Sequence, residues 1–205
     1  MSAGCFVTID GPGGAGKSTL VPLVTAHLHT ADVPVHATAE PSRGPAGQLA
    51  RTRTDVFHGH ALACLVAADR YHHLETEIQP ALEAGKVVIC DRYMPSSYAL
   101  QVLDGVGARF VADINTHARR PDLAVILTCE PHVLQQRLAA RGSHGRFEDD
   151  PQLSRAEAER FTQIATMLAD EGVQTLVLDS TRHHANFLAQ QLFTVIQTLR
   201  SQTHQ

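Results

Sequence analysis

Residues 5–19, CFVTIDGPGGAGKST, constrain the fold of this chain more than any other stretch. An apolar run from Cys5 to Ile9 stops at Asp10, and Gly11 to Ser18 then spell G-x-x-x-x-G-K-S. That spacing is a phosphate-binding loop, and each part has a physical reason. The glycines let the backbone curl until successive N–H groups point into one concavity. The helix that follows adds the positive end of its dipole. Lys17 is placed for β- and γ-phosphates, and the Ser18 hydroxyl suits a Mg²⁺ ion. The flanks agree: a buried-type strand precedes the loop, and Leu20, Leu23, Val24 and Leu28 give a helical apolar period after it. Pro22 removes one backbone donor from that helix and predicts a bend in its axis.

A chain of 205 residues, 43% hydrophobic and 19% charged, fits one compact soluble domain with a well-buried core. A net charge of −4 argues against binding a nucleic-acid polymer, which wants a basic surface. No run of 18 apolar residues is present, so no membrane span is expected. The first strand begins at once, without a leader, which points to the cytoplasm. Cys5, Cys64, Cys90 and Cys129 lie apart in apolar segments and read as buried thiols in a reducing compartment. The thirteen histidines include His58 and His60, His72-His73 and His183-His184, spacings that put no two imidazoles on one helical face. They read as solvated or singly hydrogen-bonded groups.

Short apolar runs alternate with helical segments along the whole chain. Val33–Ala39 is the second strand, with Pro34 near its start suggesting an early or edge position. A short helix is expected over Ala46–Arg53 and a long one over His60–Ala84, closed by Gly85. Lys86–Cys90 is a strand running into Asp91-Arg92-Tyr93, followed by helices over Ser96–Leu103 and Ala108–Ala118. Leu123–Thr128 is the fourth strand and Pro131–Arg141 a helix with proline in its first turn. Arg141–Asp150 (RGSHGRFEDD) reads as a flexible charged loop. Ser154 and Glu157 form a capping box that opens a helix to about Asp170. Val173–Leu178 is the fifth strand, and His184–Arg200 the closing helix.

This alternation predicts an α/β fold: one five-stranded parallel sheet with helices on both faces. Ligands sit at the carboxyl ends of such strands. The rule gathers the phosphate loop, Glu40-Pro41 and Asp91-Arg92 around one crevice. No N-K-x-D element for reading guanine is present, which argues against a GTPase.

Over essentially its whole length the chain resembles the thymidylate kinases. Four stretches carry the likeness: IDGPGGAGKSTL; Leu65–Arg70 (LVAADR) with ALEAGKVVICDRY; Asp91 to Gln101 (DRYMPSSYALQ); and Arg120-Pro121-Asp122-Leu123 through Arg141 to Glu148 (RGSHGRFE). The resemblance implies a P-loop nucleoside monophosphate kinase of one domain over 1–205, with a mobile lid at about 141–151. It implies Mg-ATP as donor, held by Gly11, Pro12, Gly13, Gly14, Ala15, Gly16, Lys17, Ser18 and Thr19. A small nucleoside monophosphate would be the acceptor, and a homodimer the common assembly. Arg92 would hold the acceptor phosphate, with Arg43 or Arg51 assisting, and Asp91 would join Ser18 in orienting Mg²⁺ or its waters. Gly14 leaves the loop without an arginine, so Arg146, with Arg141, is the candidate for stabilising charge on the moving group, an effect worth about 10³–10⁵ in rate. Arg70, Ser96 and Ser97 would lie near the base, and Glu40, Val66, Leu100 and Gln101 complete the acceptor site.

The departures from the family pattern fall at the acceptor. Gly13 stands where the family has an acid that meets the sugar 3′-hydroxyl, Val66 where a phenylalanine stacks on thymine, and Leu100 where a tyrosine disfavours a 2′-hydroxyl. Ala39 replaces an arginine, for which Arg43 is a substitute, and Gly145 replaces the lid aspartate. A lost charged hydrogen bond, about 1.5–3 kcal/mol, and a lost base stack, about 1–3 kcal/mol, together weaken dTMP binding by about two to four decades. Phe57, Tyr71 and Phe147 are candidates to compensate. The leading expectation is therefore a kinase for a pyrimidine nucleoside monophosphate other than ordinary dTMP, such as a ribonucleotide or a modified one. An ordinary dTMP kinase comes second, and a nucleotide-binding module without kinase activity third.

Overall fold

The computed structural model describes residues 4–142 and 150–202. Five parallel strands among them form one sheet in the order β2-β3-β1-β4-β5. They are β1 (Cys5–Asp10), β2 (Val35–Ala39), β3 (Val87–Asp91), β4 (Leu123–Thr128) and β5 (Thr175–Asp179). The helices are α1 (Lys17–Thr30), α2 (Pro45–Thr52), α3 (Gly59–His73), α4 (Gln79–Glu83), α5 (Met94–Leu103), α6 (Ala108–Ile114), α7 (Pro131–Arg141), α8 (Pro151–Asp170) and α9 (Ala185–Gln202). A π-helical turn, Leu74–Ile78, joins α3 to α4 without a break, and Gly85 at φ 74° ends the run as expected. Pro22 lies inside a continuous α1.

Period-2 alternation in the central strands sorts their side chains onto two faces. Val7, Ile9, Val87, Ile89, Val125 and Leu127 pack with α1 (Leu20, Val24, Leu28) and α9 (Leu188, Leu192, Ile196). On the other face Phe6, Val88 and Cys90 meet Leu74, Ile78 and Tyr93, while Ala124 and Ile126 meet Phe161, Ile164 and Leu168 of α8. Both faces of β1, β3 and β4 are thus buried, which explains their unbroken apolar runs. The chain leaves β1 toward β2 and β3 on one side and later returns to β4 on the other. The order therefore switches at the carboxyl end of β1, where a crevice opens.

Several boundaries differ from expectation. β2 starts at Val35 and α6 ends at Ile114. The capping box does not form: Asp150 is the N-cap of α8, its Oδ1 accepting from Gln152 N at 2.8 Å. Ser154 and Glu157 lie inside the helix and are buried. Cys64 is exposed, because it sits one residue off the buried α3 face of Ala63, Val66, Ala67 and Arg70. His73 is buried, contrary to the solvated reading.

Candidate active site

The phosphate loop bridges β1 and α1 and is packed against β4. A Cβ at Gly11 would lie 2.6 Å from the Leu127 carbonyl oxygen, and φ there is 150°, so only glycine fits. Lys17 is buried, its Nζ donating to the carbonyls of Gly11 at 2.7 Å and Pro12 at 2.9 Å. Burial, then the positive charge of Arg92, pulls the ammonium pKa down to about 8, against the opposing pull of Asp91, Glu157 and Asp10. From α7, Arg137 braces the loop from behind, donating to Gly14 O at 3.3 Å and to Ser180 O at 2.8 Å beyond β5.

At the end of β3 the backbone turns sharply. Arg92 has φ 70°, an uncommon conformation for a residue with a Cβ, and its N–H donates to Ile9 O at 2.9 Å. Asp10 fixes this turn. Its Oδ1 accepts from Tyr93 N at 2.9 Å, Ser96 N at 3.0 Å and Ser96 Oγ at 2.6 Å. These bonds satisfy first-turn donors of α5. They leave the Arg92 guanidinium over the crevice, with Nη1 3.3 Å from Ser96 Oγ. Asp91 Oδ1 and Asp10 Oδ2 are buried without a hydrogen-bond partner among the described residues.

Deeper in, Arg70 is 1% exposed and held on every side. Nε donates to Glu40 Oε2 at 2.8 Å, Nη1 to Asn115 Oδ1 at 2.5 Å and Nη2 to Ser97 Oγ at 2.9 Å. Its guanidinium carbon lies 5.0 Å from the centroid of the Tyr93 ring. Glu40, His73 and Cys90 bring possible ligand atoms within 4.8 Å of one another. Arg70 already neutralises Glu40, however, and burial pushes the Cys90 thiol well above its ordinary pKa, so the cluster is an ion-pair network of the scaffold. Burial lowers the His73 pKa, but the hydrogen bond and charge of Glu40 outweigh it and hold the imidazolium above its usual range.

These elements enclose a cleft of about 570 Å³, a size typical of small-molecule sites. Gly13, Gly14, Gly16, Lys17 and Ser18 line it from the loop, and Asp91, Arg92, Tyr93 and Ser96 from β3 and α5. Glu40, Arg51, Val66, Arg70, Ser97, Leu100 and Gln101 line its far part. Arg43 is exposed on the α2 side and is not a lining residue. Arg51 reaches back to donate to Pro41 O. Phe57 packs behind Val66 with Ala50 and Leu62, and Tyr71 bonds Ile114 O at 3.0 Å; neither faces the cleft. Arg146, Phe147, Gly145 and the side chain of Arg141 lie outside the described residues.

Three contributors escape sequence reasoning: Tyr93, Asn115 and Glu157. The Glu157 carboxylate, 2% exposed, reaches from α8 to accept from Gly13 N at 3.2 Å, with its other oxygen 3.9 Å from Arg92 Nη1. Its only sequence signal was the acid of a capping pattern.

A phosphate loop at a switch point, opposed across one cleft by arginines on neighbouring strands and helices, defines a phosphotransferase of the nucleoside monophosphate kinase class. A family model described as thymidylate kinase matches residues 9–190. The chain is 33% identical over 194 residues to a probable thymidylate kinase of Pyrococcus abyssi, covering 91% of this chain and 95% of that one. It is 39% identical over 146 residues to a probable thymidylate kinase of Pyrobaculum aerophilum, covering 70% and 74%. It is 36% identical over 155 residues to the thymidylate kinase of Xanthomonas oryzae pv. oryzae, covering 74% and 68%. The chain belongs to the thymidylate kinase family and is a nucleoside monophosphate kinase. ATP is the co-substrate in this family. Among the described residues no helix is long and apolar enough to cross a membrane.

Proposed function

We propose that this chain transfers the γ-phosphoryl group of ATP to dTMP. Membership of the thymidylate kinase family is the observation that carries this reading, because it covers the loop, the acceptor cleft and the sequence between them. The comparisons lend no support to a non-standard pyrimidine, and the departures at Val66 and Leu100 leave an apolar wall that still accepts a pyrimidine ring. Arg70, Ser97 and Gln101, whose Oε1 is buried without a partner among the described residues, offer donors and an acceptor to the carbonyl and imide edge of thymine.

The loop amides and Lys17 bind the donor phosphates, and Arg92 binds the acceptor phosphate across the cleft. Held so, the two anions meet in line while cations on both sides offset their repulsion. Asp10 sets the aim of Arg92 through the first turn of α5. The buried, unpartnered Asp91 Oδ1 and the Ser18 hydroxyl fit a hard cation with oxygen ligands, so Ser18 and Asp91 would hold Mg²⁺. When bound, that ion supplies charge neutralisation at the donor phosphates. Arg146 and Arg141 are proposed to approach the moving group from the lid.

Incubation with Mg-ATP and dTMP, followed by chromatography, tests the reading. The expected products are ADP and dTDP in equal amounts. ADP without dTDP overturns it.

A further inference from the structure

The carboxylate of Glu157 is among the most constrained groups in the cleft. It is 2% exposed and lines the cleft between the phosphate loop and Arg92. Oε2 is fixed by the Gly13 N–H at 3.2 Å. Oε1 is buried and has no hydrogen-bond partner among the described residues, with Arg92 Nη1 standing off at 3.9 Å. An ionised carboxylate offers about four acceptor sites, and leaving one oxygen buried and unmatched is unfavourable. Such an oxygen in a binding cleft marks the position of a donor carried by the ligand.

The chemistry of the acceptor narrows that donor to one group. Its phosphate is an anion, repelled by Glu157 and drawn to Arg92. On the proposed reading its base lies toward Val66, Leu100, Arg70 and Ser97, which line the far part of the cleft. What lies beside the phosphate is the sugar, and dTMP carries one free sugar hydroxyl, at C3′. The helix contributes this acid at the very loop position, Gly13, that lacks one in sequence.

We propose that Glu157 Oε1 accepts a hydrogen bond from the 3′-hydroxyl of the acceptor, making Glu157 a specificity residue supplied by α8. The proposal rests on the kinase reading and adds to it a residue that reads the sugar. It also accounts for how an ordinary deoxynucleotide is bound without a carboxylate on the loop.

The test compares affinities of dTMP and its 3′-deoxy analogue by calorimetry, for the wild-type protein and for Glu157→Gln and Glu157→Ala. Binding is read directly, so a loss of turnover does not obscure the result. The wild type is expected to bind dTMP about 10- to 100-fold more tightly than the analogue, the range of a charge-assisted bond. That ratio is expected to fall to a few-fold in Glu157→Gln and to about one in Glu157→Ala. A residue that merely propped up Arg92 would weaken both ligands equally and leave the ratio unchanged, which overturns the proposal. Glu157→Gln is nearly isosteric and keeps an acceptor for Gly13 N, so it serves if the alanine variant does not fold. Wild-type protein that binds the two ligands equally also overturns the proposal. If the wild type forms no dTDP at all, the kinase reading fails and takes this proposal with it.

Discussion

Lys17 and Arg92 both line the cleft, and each carries a testable signature. Lys17 loses its proton in the free protein as pH rises through about 8. Only the protonated form attracts phosphate, so ATP affinity is expected to fall above that pH. At pH 9 about one-tenth of the protein is competent, and the dissociation constant rises about tenfold relative to pH 7. Titration of ATP at both pH values checks this, and a flat profile contradicts it. Lys17→Ala is expected to lower transfer by at least about 10²-fold, the usual cost of removing one stabilising charge. Arg92 holds a left-handed backbone that costs glycine nothing and costs alanine, like any residue with a Cβ, about 1 kcal/mol. Arg92→Gly and Arg92→Ala both lose transfer, but the glycine variant is expected to be more stable by about 1 kcal/mol in urea unfolding. Equal stabilities would remove backbone strain from the account. Arg70 and Glu40 form a buried pair, and Glu40→Ala strands the guanidinium. It is expected to cost about 3–5 kcal/mol, read as a large fall in the urea midpoint.

Elements were legible in the sequence to the extent that their signals were local. β4 and α7 have their expected bounds because β4 is a continuous apolar run and Pro131 marks the start of α7. The phosphate loop was legible because its spacing has only one geometry. Glu157 was not, because its role depends on which face of α8 meets the loop, 144 residues away in sequence. The S-x-x-E pattern at Ser154 is equally local, but Asp150 sits earlier and already caps the helix. His73 was misread for the same reason: its partners, Thr38 Oγ1 at 2.8 Å and Glu40, come from the edge strand β2 and the residue just beyond it. Because its folded pKa lies above the unfolded value of about 6.5, its contribution is present below that pH and lost as pH rises through the folded value. The melting temperature is therefore expected to drift down over that window in the wild type and less so in His73→Gln. Identical slopes would contradict the assignment.

On the scale of the molecule, the sheet order brings three strand ends and α8 to one cleft, and the chemistry is divided along it. Amides and cations converge at the loop and Arg92, where phosphates are proposed to bind, and Val66 and Leu100 line the wall beside Arg70, where the base is proposed to bind. The sequence located this cleft, and at its acceptor end the missing acid at Gly13 and the missing aromatic at Val66 pointed away from ordinary dTMP, a choice of acceptor that the comparisons do not support. Only the folded chain shows that Glu157 brings a carboxylate back to Gly13 from elsewhere. This cleft is proposed to serve dTMP. The assignment is tested most directly by ADP release with Mg-ATP across dTMP, dUMP, UMP, CMP, dCMP, AMP, GMP and 5-substituted pyrimidine monophosphates. dTMP is expected to lead by a wide margin in kcat/KM; a ribonucleotide or a modified pyrimidine in first place would contradict that assignment.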